Sequence, residues 1–233
     1  HVEAGLRSGD KKMPEEINRI ITDHVSSYLL CPTDTALENL KKEWISDWII
    51  KIQDPMYLTV QFFREKSACL NILGHWWLRE KEYYFCTFHR PSNTDNVLSL
   101  QQIVELLNNL DKKVIFPIHP RTKQKIQGFW LEFSKNILLI DPVWFLETLH
   151  YIQNADGVIT DSGGLQKEAY ILWKNIFTLR NTTEWEETII SWRNILLLNH
   201  QGKLHPDAQD LIKNYRGGEY IDFYGQWQDL ESI

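Results

Sequence analysis

Glycine is scarce in this chain, with 11 residues of 233, whereas average usage of roughly 7% would give about 16. Cysteine is scarce too, and Cys31, Cys69 and Cys86 form no C-x-x-C pair, which indicates free thiols rather than a disulfide framework. No apolar run approaches the roughly 18 residues of a membrane-spanning helix. Positive charge is also in short supply, since 25 Lys and Arg face 31 Asp and Glu. We therefore expect neither nucleic acid nor an anionic membrane as a partner.

Short apolar segments alternate with amphipathic ones over most of the chain. The spacing predicts strands at 83–88, 114–118, 137–140, 158–160, 176–179 and about 195–198. Helices are expected between and after them, at 97–110, 145–153, 165–172, about 206–214 and 226–233. This alternation indicates an α/β fold in which a parallel sheet carries helices on both faces.

The first quarter of the chain is less regular. Apolar residues at helical spacing predict a helix over 14–30. A second helix at 35–43 is expected to begin with a capping box made by Thr35 and Glu38. Residues 44–56 are expected to be irregular.

Polar clusters follow four of the predicted strands. HRPSN follows 83–88, HPRT follows 114–118, DSGG follows 158–160, and RNTTEW follows 176–179. In open α/β sheets, ligands bind beyond the carboxyl ends of the strands. The shared placement of the four clusters therefore indicates one binding site.

The DSGG segment has the pattern of a phosphate-binding turn. Gly163 and Gly164 leave room for a phosphate against the backbone, where the first N–H groups and the dipole of the following helix favour an anion. Ser162 can add a hydroxyl donor, and Glu168, one turn into the helix, could bind a ribose diol. The alternative is an ordinary capped helix with a glycine turn.

Carboxylates and arginines are concentrated near the start of the chain. HVEAGLR and MPEEINR supply Glu3, Glu15 and Glu16 close to Arg7 and Arg19. Paired carboxylates beside a cation suit proton transfer at carbon. A surface salt-bridge cluster is the alternative.

Further polar groups are expected at the same sheet edge. HRPSN contributes His89, which could donate to a phosphate or shuttle a proton, although a lone histidine is more often structural. Arg121 and Arg180 add positive charge. No HExxH and no Cys/His cluster has the spacing of metal ligands, so no metal site is expected.

Seven stretches occur in one consistent order from residue 1 to about residue 200: HVEAGLRSGD, MPEEINRIITDH, CPTDTALENLKKE, TFHRPSNTDN, HPRT, ITDSGGLQKEA and LRNTTEW. Together they resemble the non-hydrolysing UDP-N-acetylglucosamine 2-epimerases. The hydrolysing relatives carry a Gly-rich pattern in place of HVEAGLR and match less well. The resemblance implies two Rossmann-like domains of glycosyltransferase-B type, the first incomplete. Residues 1–53 would finish the N-terminal domain, and residues 54–233 would form the C-terminal UDP-binding domain.

The resemblance also implies an activity and a set of site residues. Enzymes of this family interconvert UDP-N-acetylglucosamine and UDP-N-acetylmannosamine by eliminating UDP to a glycal and adding it back, and they need no redox cofactor. By motif match, the candidate catalytic residues are Glu3, Glu15 and His89. The expected substrate-binding residues are Arg19, Arg121, Ser162, Gly163, Gly164, Glu168 and Arg180.

Three other functions remain open. Lys167 and Trp185 also occur in relatives that epimerise UDP-diacetamido-uronate sugars. A glycosyltransferase of the same two-domain architecture would also bind UDP through a strand, a loop and a helix. A UDP-binding fragment without activity is the third, because the chain opens on His1 inside an apparent strand and lacks the family's first strand, its glycine-rich loop and an upstream acidic residue. Family resemblance further implies a cytoplasmic homodimer.

Tryptophan is abundant where glycine is scarce, with 10 residues. Several stand where relatives in the family have glycine, most clearly Trp44, Trp144, Trp173, Trp192 and Trp227. Turn and cap glycines often adopt φ > 0, which a residue with a bulky side chain tolerates poorly. Our hypothesis is that these codons are UGA, read here as tryptophan but as glycine in the source's genetic code. Ordinary divergence is the alternative.

Overall fold

Two parallel sheets and the helices around them make up the described part of the chain. The structure is a computed structural model that describes residues 1–11 and 13–225. The smaller sheet pairs β1 (Leu29–Cys31) with β2 (Ile49–Lys51) in parallel. The opening segment joins it, because Val2 forms a parallel bridge with Leu30. The helix expected at 226–233, with Trp227, lies outside the described residues.

The larger sheet has six parallel strands. They are β3 (Tyr83–Thr87), β4 (Lys113–Pro117), β5 (Ile137–Ile140), β6 (Gly157–Thr160), β7 (Asn175–Thr178) and β8 (Asn194–Leu196). Their order across the sheet is β5-β4-β3-β6-β7-β8, and each neighbouring pair is parallel. The strand order reverses between β3 and β6, and such a switch point opens a crevice at the carboxyl ends of the strands. The prediction of an α/β fold with a parallel sheet is confirmed.

Helices connect the strands. They are α1 (Pro14–Val25), α2 (Asp34–Lys42), α3 (Pro55–Ala68), α4 (Pro91–Thr94), α5 (Val97–Asn108), α6 (Pro120–Gly128), α7 (Phe145–Asn154), α8 (Gly163–Ile171), α9 (Glu186–Ile190) and α10 (Ala208–Asn214). Within the described residues, no helix has the length and apolar character needed to cross a bilayer.

Helix α5 shows how the local sequence produces these elements. Asn96 caps its start, where the Asn96 side chain accepts hydrogen bonds from the backbone N–H groups of Leu98 and Ser99. Leu100, Ile103, Val104 and Leu107 then recur at helical spacing and are buried. The helix therefore packs one apolar stripe against the larger sheet.

Some expectations for the first 70 residues were wrong. The first helix ends at Val25, so Leu29 lies in β1 rather than in the helix. The cap of α2 is Thr33, whose hydroxyl accepts from the N–H of Ala36, and Thr35 lies inside the helix. Residues 44–56 contain β2 and the start of α3. The apolar pattern of these short elements is too brief to separate strand from loop.

One apolar core joins the small sheet to one face of the large sheet. It contains Ala4 and Leu29 from the small sheet together with Val158, Leu165 and Tyr170 from the large sheet and α8. A second core lies on the opposite face under α5. Because the first core spans both sheets, the opening segment is held close to α8.

Six tryptophans have left-handed backbone conformations. Their φ angles lie between 53° and 63°, and the residues are Trp44, Trp48, Trp77, Trp130, Trp173 and Trp192. Trp144, which the hypothesis also included, has φ −74° and precedes α7 with an extended backbone. An L residue in the left-handed region is strained because its Cβ approaches the neighbouring carbonyl oxygen.

Candidate active site

The crevice at the switch point collects most of the residues expected from the sequence. His89 follows β3, and the turn from Asp161 to Gly164 follows β6, so the two loops face each other across the point where the strand order reverses. The loop after β7 brings Arg180 and Glu184 to the same edge. Shared topology, rather than proximity in sequence, forms this site.

The turn that opens α8 is closely packed. Ser162 is the N-cap, and its hydroxyl accepts from the N–H of Leu165 at 3.4 Å. A Cβ at Gly163 would lie only 2.0 Å from Oε1 of Glu184, whereas at Gly164 the nearest atom would be 3.8 Å away. The first N–H groups of a helix have no acceptor within it, so this turn presents donors to the crevice.

Gly163→Ala tests whether the close packing of Gly163 against Glu184 stabilises the fold. The new methyl group should push the Glu184 carboxylate away from Arg180 and lower the free energy of unfolding by about 1–3 kcal/mol. Gly164→Ala is the matched control, because its Cβ would approach no atom more closely than 3.8 Å, an ordinary van der Waals distance. Urea denaturation of both variants checks the prediction, and equal stability of the two would contradict it.

Asp161 organises the loop after β3, and the sequence interpretation did not single it out. Its carboxylate is fully buried and accepts from the backbone N–H groups of His89 at 3.0 Å and Arg90 at 2.9 Å, and from the Asn93 side chain at 2.8 Å. These bonds tie the loop after β3 to the loop after β6. The only hint in the sequence was its place directly after a strand.

Three arginines converge on Glu184. Arg180 donates to Glu184 at 2.8 Å, and Arg19 of α1 lies 3.9 Å from the same carboxylate. Burial acts to raise the pKa of Glu184, but Arg180 and Arg19 outweigh it and hold the pKa below its usual value. Burial and the neighbouring Arg180 lower the pKa of Arg90. Repulsion between like charges indicates that this part of the crevice suits an anion.

Residue Met13 places the start of α1 beside these arginines. Its sulfur lies 3.6 Å from Arg90 and 3.8 Å from Arg180. Glu15, two residues further on, is exposed and acts electrostatically on Arg90. Glu16 has a different environment, since it is buried and accepts from the N–H groups of Ser8 at 2.8 Å and Gly9 at 3.0 Å. Glu16 therefore holds the preceding loop together, whereas Glu15 is exposed in the first turn of α1.

Glu3 reaches α8 from the opening segment. Its Oε1 lies 2.5 Å from the ammonium of Lys167, which also donates to Asp54 at 2.8 Å. Glu3 itself has φ 65°, a strained conformation for a residue other than glycine. The structure thus brings Glu3 to α8, the helix that the turn after β6 opens, and places the charge of Glu15 near Arg90.

Glu168 lies one turn into α8 and is mostly enclosed. Burial raises the pKa of this carboxyl to about 7, although the neighbouring Lys167 lowers it. A carboxyl with such a pKa changes charge near neutral pH, whereas an exposed glutamate is ionised throughout that range.

An apolar cavity of about 290 Å³ adjoins the crevice at the ends of β3 and β4. Its lining includes Phe85, His89, Pro117, Val143 and Leu165. A His119 ring also lines it, 5.9 Å from the His89 ring. The cavity is large enough for a flat heterocycle and lies next to the first turn of α8.

Arg121 lies in a different setting from the other expected binding residues. It is exposed on α6 and makes two hydrogen bonds to Asp95, at 2.8 and 2.9 Å. Its role in binding stays a prediction. In the described part of the chain, no group of three or more His, Cys, Asp or Glu side chains is arranged to hold a metal ion.

Comparisons with known proteins identify the class to which this fold and site belong. The UDP-N-acetylglucosamine 2-epimerase family model matches residues 1–231, so the chain belongs to that family. The resemblance inferred from seven motifs is confirmed.

Individual relatives agree with this assignment. A UDP-N-acetylglucosamine 2-epimerase of Methanococcus maripaludis is 45% identical, over 93% of this chain and 62% of that protein. A UDP-2,3-diacetamido-2,3-dideoxy-D-glucuronate 2-epimerase of Pseudomonas aeruginosa is 39% identical, over 84% of this chain and 56% of that protein. The crystal structure of the Methanocaldococcus jannaschii UDP-GlcNAc 2-epimerase in complex with UDP-GlcNAc and UDP matches with a TM-score of 0.84 and 37% identity, over 97% of this chain and 65% of that one. The chain thus spans less than two thirds of these relatives.

Proposed function

We propose that this chain carries the UDP-binding part and two acid/base carboxylates of an isomerase that interconverts UDP-N-acetylglucosamine and UDP-N-acetylmannosamine. One observation carries the proposal: the anion-binding turn of α8, the converging arginines and Glu3 share one crevice. The 45% identity to an epimerase of this substrate supports it.

The diphosphate of UDP fits the positive part of the crevice. The turn of Ser162, Gly163 and Gly164 offers backbone N–H groups, and Arg19, Arg180 and His89 offer side-chain donors. Negative charge develops on the β-phosphate oxygen as UDP departs, so donors placed there stabilise the transition state. The apolar cavity beside Leu165 would accept the uracil ring, and Glu168 the ribose hydroxyls.

The acids on the other side of the crevice would move the proton at C2. A carboxylate takes this proton, the C2–H electron pair forms the C1=C2 bond, and the C1–O pair leaves with UDP. In the return step an acid protonates C2 from the opposite face, and UDP adds to C1. Glu3 and Glu15 are our candidates for these two roles, since Glu3 contacts Lys167 of α8 and Glu15 acts electrostatically on Arg90.

The presence of two separate sheets supports a division into two domains. We propose that residues 1–53 complete an N-terminal Rossmann-like domain and that 54–233 form the C-terminal one, in a glycosyltransferase-B arrangement. Support comes from the separate small sheet and from Asp54, which caps α3 at the junction. Homodimer formation, a cytoplasmic location and function without a cofactor stay predictions from the family.

Proton NMR in deuterated water tests the activity. The complete product of the gene is incubated with UDP-N-acetylglucosamine alone, and the C2 hydrogen should exchange as UDP-N-acetylmannosamine appears. A glycosyltransferase would need an acceptor and would leave C2 unlabelled. Tight UDP binding without exchange would contradict the proposal and favour an inactive UDP-binding protein.

A second substrate class has specific support. The relative from Pseudomonas aeruginosa acts on a UDP-diacetamido-uronate sugar and is 39% identical. The same NMR experiment with that sugar distinguishes the two, because the true substrate should exchange its C2 hydrogen with the higher kcat/KM.

The raised pKa of Glu168 predicts pH-dependent UDP binding. The ionised carboxylate is the better acceptor for ribose hydroxyls, and about half of it is protonated at pH 7 in the free protein. UDP affinity should therefore rise with pH up to about 7 and level off above it. The rise should be at most about tenfold per pH unit, because one proton is released. Calorimetry from pH 5.5 to about 8.5 measures this slope. Glu168→Gln is the control. Titration of UDP itself changes the affinity of the unmutated protein and of Glu168→Gln equally, so the variant should lack only the part of the pH dependence that is due to Glu168.

A further inference from the structure

Lys167 is a fully buried cation whose contacts join three parts of the fold. Its ammonium donates to Asp54 at 2.8 Å and to Glu3 at 2.5 Å, and it lies 4.3 Å above the Trp185 ring. Asp54 is also fully buried, and its other oxygen accepts from the N–H groups of Met56 and Tyr57. Helix α3 therefore fixes Asp54, and Asp54 with Trp185 fixes the ammonium.

Glu3 is the exposed partner in this cluster. Its side chain is 37% exposed, whereas the side chains of Lys167 and Asp54 have no exposure. Lys167 contacts Oε1, which leaves Oε2 for a substrate in the crevice. The left-handed backbone of Glu3 is a conformation that only surrounding contacts can maintain.

We propose that Lys167 is a positioning residue that holds the Glu3 carboxylate at the angle needed for proton transfer at C2. This inference rests on the proposed function. Loss of the contact would let Glu3 rotate away, and a misplaced acid or base loses most of its effect while UDP still binds through the other side of the crevice.

A double-mutant cycle on the complete gene product tests the proposal. Lys167→Met should lower kcat for epimerisation by about 100-fold and leave KM and UDP affinity within about threefold. In a Glu3→Gln background the same change should have little further effect, because it acts through Glu3. Lys174→Met, which removes a partly buried lysine just beyond α8, is the matched control and should leave kcat unchanged.

Asp54→Asn/Lys167→Met guards against misfolding, since it removes both buried charges together. The proposal is overturned if Lys167→Met matches the Lys174 control, if the two effects multiply, or if neither Lys167 variant folds, which would assign Lys167 to stability. Absence of exchange in the unmutated protein would instead overturn the proposed function and this role with it.

A separate observation concerns the six left-handed tryptophans. Five of them follow a helix in the same hydrogen-bonding pattern; for Trp77 this is a short 3-10 helix, Leu73–Trp76. At Trp44, for example, the Trp44 N–H bonds to the Lys41 carbonyl at 3.1 Å and the Ile45 N–H to the Leu40 carbonyl at 3.0 Å. The same pair of bonds recurs at Trp77, Trp130, Trp173 and Trp192. This is the Schellman motif, whose left-handed position is usually glycine.

Exposure separates these tryptophans from two others. The left-handed side chains are between 55% exposed, at Trp173, and 94% exposed, at Trp44. By contrast, the Trp76 indole donates to the Tyr151 hydroxyl at 3.1 Å, and the buried Trp185 indole donates to the Gly163 carbonyl at 2.8 Å. Trp76 and Trp185 therefore use their side chains, whereas five of the six sit where glycine is usual.

We infer that Trp44, Trp48, Trp77, Trp130, Trp173 and Trp192 are glycines in the protein that the source cell makes, because their UGA codons are decoded as glycine there. The change removes the backbone strain at all six positions and brings glycine close to the roughly 7% of average usage. Trp144 is left out, because its backbone is not left-handed.

The gene and the natural protein test this inference. The six positions should carry UGA, and Trp76 and Trp185 should carry UGG. Tryptic peptides of the protein purified from its source should then have the mass of glycine at the six positions and of tryptophan at the other two. UGG codons at the six positions, or peptides with the mass of tryptophan there, would overturn the inference.

Discussion

Replacing the six left-handed tryptophans with glycine should raise the free energy of unfolding by about 5 kcal/mol in total. An L residue in the left-handed region costs roughly 1–2 kcal/mol, and the greater freedom of glycine in the unfolded chain offsets about 0.5–1 kcal/mol of that. The net gain is about 0.8 kcal/mol per position. This is a large share of the roughly 5–15 kcal/mol that stabilises a typical protein.

Urea unfolding followed by circular dichroism measures the effect, since tryptophan fluorescence would change with the substitutions. The gain at Trp173 should be the smallest, because its ring stacks on Tyr220 with centroids 4.6 Å apart. Trp76→Gly and Trp185→Gly are the controls and should destabilise the protein, because both indoles make internal hydrogen bonds. A six-glycine protein no more stable than the tryptophan form would show that the left-handed backbone carries little strain.

The sequence predicted the larger sheet well because its strands are short, apolar and separated by amphipathic helices. All six predicted strands from residue 83 onward are present with ends shifted by at most two residues. Helix α3 was not predicted. Its residues Leu58 and Phe62 are exposed and blur the boundary between its apolar and polar faces. Leu29 continued the helical spacing of α1 by coincidence, although the chain had already turned into β1.

Site residues divide in the same way. Glu3, Gly163 and Arg180 were recognisable because each stands in a motif after a strand or at a helix start. The structural roles of Asp161, Asp54 and Lys167 were not, because these roles lie in contacts between residues far apart in the chain. Lys167 and Glu3 are 164 residues apart, and Lys167 and Asp54 are 113 apart. A buried carboxylate looks like any other aspartate until its hydrogen-bond donors are known.

Glu3→Gln should reduce the rate of epimerisation at C2 by about 10²–10⁴-fold in the complete gene product. The amide keeps the shape of the side chain, but it can neither take nor return a proton. UDP affinity should change little, because the diphosphate groups lie with Arg19, Arg180 and the turn of α8. The result would therefore be a fall in kcat rather than a rise in KM.

Glu38→Gln is the matched control, because Glu38 is an exposed glutamate on α2. This variant should catalyse epimerisation at the rate of the unmutated protein. Glu15→Gln distinguishes the two proposed acids. If each acid serves one face of C2, either single substitution should block epimerisation. Exchange of the original C2 hydrogen with solvent should be blocked only when the missing acid is the one on the face that carries this hydrogen. The face that Glu3 serves then follows from whether UDP-N-acetylglucosamine or UDP-N-acetylmannosamine still loses its C2 hydrogen in Glu3→Gln. Equal rates of epimerisation in Glu3→Gln and Glu38→Gln would remove Glu3 from the chemistry and leave its pairing with Lys167 as a structural contact between the two sheets.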